Sequence, residues 1–185
     1  MSSTERGLAL QWIASNALGW ALAMGTVLIG RWEWILGGAA IGAGQWLALR
    51  RRLHFTPAWF AGTWFAWTVG IWAGYSHGFF IPDPYWAGIT GGTLAGLAQS
   101  CVLRRQVPRP ALWVLTTIVG STLGWIAGTI VGTWAYDLHA AEGTAYFVGA
   151  ASGGGVIGGV SAPMLLWMLR RPKQRRETVQ GRSYA

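Results

Sequence analysis

The sequence predicts an all-α integral membrane protein of six transmembrane helices, arranged as three two-helix repeats in a pseudo-threefold bundle. Charged residues make up only 11% of the 185 residues, where a soluble domain carries about 25%. Those charges are confined, leaving six stretches without Asp, Glu, Lys, Arg or His. A glycine-rich apolar run also ends in an arginine pair three times, at Gln45–Arg51, Gln99–Arg105 and Leu165–Arg171. Such recurrence constrains a fold, because each unit meets the same packing problem.

The charge-free stretches are about 16–27 residues long, which suits helices crossing a hydrocarbon core of roughly 30 Å. The first covers Gly7–Gly30. Its Ala21-Leu22-Ala23 resembles a signal-peptide cleavage site, but Glu5 offsets Arg6, Asn16 interrupts the run, and apolar residues continue to Ile29. A retained helix is the better reading. The second stretch is Trp34–Leu49 and the third Thr56–Ser76, which opens at Pro57. Proline suits a first helical turn, where its missing N–H would be unpaired anyway. The fourth is Pro84–Leu103, and the fifth, Ala111–Tyr136, follows Pro110. The sixth, Gly143–Leu169, carries Gly153-Gly154-Gly155, Gly158-Gly159 and Pro163. Proline removes a helical hydrogen bond, so a bend is expected there. The break reads as a packing adaptation. The membrane domain is thus 1–171, with repeats near 8–53, 57–107 and 110–171. A basic cytoplasmic tail, 172–185, is expected to be disordered.

Orientation follows from the remaining charges. If the spans alternate, one side holds Arg6, Arg50, Arg51, Arg52, Arg104, Arg105, Arg109, Arg170, Arg171, Lys173, Arg175, Arg176 and Arg182, leaving only Arg31 opposite. Cytoplasmic loops collect Lys and Arg, which places both termini in the cytoplasm of a bacterial inner membrane or its equivalent. The net charge of +8 then reflects topology, and no nucleic-acid partner is expected. Membrane lipids are the expected partners. Arg170, Arg171, Lys173, Arg175 and Arg176 cluster beside a helix end, where anionic headgroups attract each charge by about 1 kcal/mol.

The even helices carry ladders of small residues at four-residue spacing: Gly38/Gly42, Gly88/Gly92/Gly96 and Gly154/Gly158/Ala162. Small residues let backbones approach where lipid removes the hydrophobic drive for association. These three helices are expected to meet near the axis. Polar residues inside the spans are Asn16, Gln45 and Gln99, candidates for interhelical hydrogen bonds or a polar ligand contact. In the third repeat the glutamine becomes Leu165. Trp20, Trp67 and Trp125 lie mid-span and are candidates either to pack against the glycines or to line a ligand or pigment site. No ionisable residue lies inside a span, which argues against a pump or an ion-coupled transporter. His54, His77 and His139 fall outside the spans, and single Cys101 excludes an intramolecular disulfide. No catalytic constellation or metal site is predicted, and the sequence points to no particular cofactor.

Laid out this way, the pattern resembles small multi-span proteins of phototrophic and related bacteria. Their glycine-rich helices run into a Gln-Trp-Leu-x-Leu-Arg-Arg ending, followed by a Trp-rich span with Leu-Gly-Trp. Gln45–Arg51 matches that ending fully; Gln99–Arg105 keeps the Gln, the last Leu and the Arg pair. The resemblance runs from Gly7 to Arg171 and implies a fold without an assigned activity. Two expectations follow. One is a non-catalytic accessory or structural protein, associating laterally with a larger membrane complex, pigments or lipids. The other is a small-molecule-binding transport subunit. In size and helix count the chain resembles the substrate-binding subunits of energy-coupling-factor vitamin transporters, whose first-helix Ala-x-x-x-Ala motif is matched by Ala17/Ala21.

Overall fold

The computed structural model describes residues 1–25, 33–52, 56–77, 84–104 and 106–170. The tail residues Arg171, Lys173, Arg175 and Arg176 lie outside that set. The described chain is all-helical, with α1 Ser3–Gly25, α2 Glu33–Leu49, α3 Thr56–His77, α4 Pro84–Leu103, α5 Ala111–Asp137 and α6 Glu142–Arg170. Two of these, α5 and α6, are long and apolar enough to cross a membrane by length and composition. Despite its glycines and Pro163, α6 is one continuous helix of 29 residues.

Each helix packs on its chain neighbours, and α6 returns to pack on α1, so the six form a closed ring. Every junction is antiparallel. Along α1 and α2, for example, Gly44 faces Ser15, Gly19 faces Ile41 and Gly37 faces Ala23. The glycine ladders differ from the expectation. None of the extensive helix pairings joins two even helices. Each ladder lies instead against the next odd helix: Gly38 and Gly42 against Trp64 and Phe60 of α3, Gly88, Gly92 and Gly96 against Thr122, Ile118 and Val114 of α5, and Gly154 and Gly158 against Asn16 and Ile13 of α1. The reason lies at the axis, where indoles from the odd helices take the central space and push the close backbone contacts out to the junctions.

Those indoles form two layers. In the first, Trp12, Trp59 and Trp113 from α1, α3 and α5 make a near-equilateral triangle, with ring centroids 6.2, 6.0 and 5.9 Å apart. Around it pack Leu49, Leu103, Leu165 and Met168, all buried, beside Ala162. In the second, Trp20 and Trp67 pack with Ile41, Ala95 and Ile157. Edge-to-face indole pairs contribute about 0.5–1.5 kcal/mol beyond their buried area.

Where α1 meets α6, the ring is clipped at its basic end. Ser2 and Glu5 form a reciprocal capping box: the Ser2 N–H donates to Glu5 Oε2 at 2.8 Å, and the Glu5 N–H donates to Ser2 Oγ at 3.2 Å. The same carboxylate takes both arms of Arg170, at 2.6 and 2.7 Å. The Arg170 hydrogen bonds, followed by the Ser2 backbone, hold the Glu5 carboxyl down at about 2. A depressed carboxylate stabilises the fold above its ordinary range and loses that contribution as pH falls through its folded value. The difference in melting midpoint between the wild type and Glu5→Gln is therefore expected to be full above about pH 4.5 and to shrink toward zero as pH approaches 2.

A methyl group at Gly154 would sit 2.5 Å from the Asn16 carbonyl oxygen, whereas one at Gly155 meets nothing within 4 Å. Gly154→Ala should destabilise the bundle by about 1–3 kcal/mol, the usual cost of overpacking. Gly155→Ala should leave stability unchanged or raise it, as judged by unfolding in detergent.

Candidate functional site

The first indole layer is tied together by hydrogen bonds that repeat around the ring. Trp59 Nε1 donates to Gln45 Oε1 at 3.2 Å, and Trp113 Nε1 donates to Gln99 Oε1 at 2.7 Å. The third indole, Trp12, donates to Ser161 Oγ at 2.8 Å. In each case an odd helix gives its proton to the preceding even helix, with α6 preceding α1 around the ring. The amide nitrogens continue the network backwards. Gln45 Nε2 donates to Asn16 Oδ1 at 2.9 Å, and Gln99 Nε2 donates to Thr63 Oγ1 at 2.9 Å and to Gln45 Oε1 at 2.8 Å. Asn16 closes the line through its own helix, donating from Nδ2 to the Trp12 carbonyl at 2.9 Å.

Helical periodicity explains the arrangement. Asn16, Thr63 and Thr117 each follow a layer tryptophan by four residues, which stacks both side chains on one face, a turn apart. The third junction departs from the other two. Leu165 stands where a glutamine would be, and Ser161, one turn earlier, accepts the Trp12 proton while donating to the Ile157 carbonyl at 2.7 Å. Without a glutamine beside it, Thr117 turns its hydroxyl back to the Trp113 carbonyl of its own helix.

Sequence reasoning singled out Asn16, Gln45 and Gln99, and the structure brings all three into this network. It did not single out Trp12, Trp59, Trp113, Thr63 or Ser161. The signal for the three tryptophans was their shared Trp-x-x-x-polar spacing, at Trp12/Asn16, Trp59/Thr63 and Trp113/Thr117. Ser161 left no signal, since it sits a turn away from the position the repeat predicts. Arg170, expected at lipid headgroups, has its guanidinium engaged by Glu5.

The second layer brings together the other candidate tryptophans. Trp20 meets Trp67 at 4.7 Å between centroids and Trp125 at 5.5 Å, both edge to face. Trp20 and Trp125 line a cavity of about 450 Å³ between α1, α5 and α6, and Trp67 lies outside its lining. Gly128, Gly149 and Gly153 form smooth walls, and Tyr136, Glu142 and Tyr146 stand at the end farthest from the network. The lining runs along α6 from Glu142 to Ile157, about 22 Å of helical rise. The indole N–H groups of Trp20, Trp67 and Trp125 and the Ser121 hydroxyl are buried without a hydrogen-bond partner among the described residues. Among the described residues no group of three His, Cys, Asp or Glu side chains could hold a metal ion.

No family model, curated protein or solved structure matches the chain.

Breaking the network from its centre should be costly. Gln99→Leu strands the Trp113 N–H in an apolar interior and is expected to destabilise by about 1–3 kcal/mol. Trp113→Phe removes that donor, so the Gln99→Leu/Trp113→Phe double variant should lose less than the two single losses combined. Equilibrium unfolding of the four proteins measures this coupling.

Proposed function

We propose that the chain is a non-catalytic integral membrane protein, an accessory or structural component that associates laterally with other membrane proteins, pigments or lipids. The observation that carries this reading is the polarity of the bundle, which is inverted relative to a soluble protein. Large apolar side chains stand exposed on all six helices: Leu10 and Leu18 on α1, Leu36 on α2, Phe65 on α3, Leu97 on α4, Ile130 on α5 and Phe147 on α6. The amides and hydroxyls lie inside, at Asn16, Gln45, Thr63, Gln99, Thr117 and Ser161. Soluble monomers rarely expose apolar patches of more than a few hundred Å². A hydrocarbon solvent favours this arrangement, because every interior polar group needs a partner within the protein.

On this reading all six helices cross the membrane. The repeated junction, Trp to an amide twice and to the Ser161 hydroxyl once, supports three two-helix units about a pseudo-threefold axis. Trp, Gly and Thr dilute the apolar character of α3 and α4 without adding charge. The arginines at Arg50–Arg52, Arg104 and Arg170 lie at the network end of the bundle, and the excess of basic residues there makes it the cytoplasmic end.

Because these bonds lie in one layer at one end of the bundle, they offer no polar path through it among the described residues. What remains for a partner is the apolar exterior and the cavity between α1, α5 and α6. That cavity is also the specific observation favouring the second reading, a small-molecule-binding transport subunit.

The protein is expected to stay with membranes through an alkaline carbonate wash and to release only with detergent. Reporter fusions at either terminus should report the cytoplasm. Purified in mild detergent, it should co-elute with protein subunits, pigment or lipid, identified by mass spectrometry and absorption spectra. Recovery in the wash would overturn the membrane reading. A clean monomer carrying one small polar metabolite would favour the transport subunit.

A further inference from the structure

The two indole layers use the same side chain in opposite ways. Every indole of the first layer has an acceptor, supplied by Gln45, Gln99 or Ser161. In the second, Trp20, Trp67 and Trp125 have none among the described residues, and Ser121 adds another unpaired hydroxyl. Trp20 is only 4% exposed and Trp67 only 2%. Buried donors without acceptors are rare, and each calls for an explanation. The rings of two of them, Trp20 and Trp125, line the cavity, where a bound molecule would supply an acceptor to a ring that turns toward it.

Resting on the membrane reading above, we propose that this cavity binds a quinone-type molecule, a flat ring bearing carbonyl oxygens on an apolar tail, with Trp20 and Trp125 as its hydrogen-bond donors. Four features select that chemistry. Two lining indoles carry N–H groups without an acceptor among the described residues, and a carbonyl oxygen is an acceptor that tolerates an apolar setting. The edge-to-face pair offers aromatic surface to a planar ring. A volume of about 450 Å³ falls within the range of small-molecule sites. The long glycine-walled slot accommodates an unbranched or isoprenoid tail. Burial of a carboxylate in this apolar lining disfavours an anionic head such as a fatty acid's, while a bare hydrocarbon chain would leave the indoles unpaired. Neither indole nitrogen is exposed, so binding includes a turn of each ring that presents its N–H to the cavity.

The test uses the full chain in mild detergent with decylubiquinone as the probe and a decyl-substituted benzene, lacking oxygen, as the comparison. Native mass spectrometry and saturable tryptophan quenching read the binding. One equivalent of quinone should bind, and the oxygen-free analogue should bind at least about tenfold more weakly, the worth of one hydrogen bond. Trp20→Phe and Trp125→Phe keep a ring but lose the donor. Each should weaken quinone binding by about tenfold without changing affinity for the analogue. Equal binding of the two compounds by the wild type overturns the proposal and needs no variant to fold. So does undiminished quinone binding by both Phe variants. A chain that resists carbonate extraction yet ignores quinone sinks only this inference, whereas release by carbonate sinks the membrane reading beneath it.

Discussion

Three indole N–H groups meeting at the axis of an apolar bundle set the terms for the rest of the structure. An indole is large enough to fill the centre of a six-helix ring, but its N–H cannot be left in hydrocarbon without losing about 1–3 kcal/mol. Each of Trp12, Trp59 and Trp113 therefore requires an acceptor on a neighbouring helix. The residues that answer are Ser161, Gln45 and Gln99. The amides in turn need acceptors for their own protons, which brings in Asn16 and Thr63. One packing choice thus accounts for nearly all the buried polar residues at that end of the bundle.

The glycines follow from the same choice. With the axis occupied by rings, helices gain contact by approaching their ring neighbours, and the even helices do so through faces without side chains. Gly88, Gly92 and Gly96 lie against the backbone of α5 in this way, as Gly154 and Gly158 do against α1. Between α5 and α6 the glycines are more numerous, with Gly124 and Gly128 facing Gly149 and Gly153. Beside that junction lies the cavity, and there too the regular alternation of the other two units fails. Ser121 occupies the register held by Trp20 and Trp67, eight residues beyond the layer tryptophan, while Trp125 comes a turn later. The displaced ring of Trp125 lines that cavity.

Helix number and approximate boundaries were legible in the sequence because charge-free length and arginine pairs are one-dimensional signals. So were the polar members Asn16, Gln45 and Gln99, which stand out against an apolar background. The facing of the glycine ladders was not legible. A four-residue stripe marks a face suited to close approach but does not say which neighbour approaches it. The substitution of Ser161 for the third glutamine was hidden for a related reason: its equivalence is spatial, and one helical turn separates it from the aligned position. The second-layer tryptophans could be named as ligand candidates, but their lack of acceptors appears only when the helices are assembled.

The claim that the first indole layer is hydrogen-bonded and the second is not can be read directly from the indole protons. In uniformly labelled protein in detergent, the Nε1–H signals of Trp12, Trp59 and Trp113, assigned by single Phe substitutions, should be shifted downfield and exchange slowly with solvent deuterium. Those of Trp20, Trp67 and Trp125 should lie upfield of them, as expected for buried protons without an oxygen acceptor. If the two sets share one shift range, or the first set exchanges as fast as an exposed indole, the network does not organise this bundle.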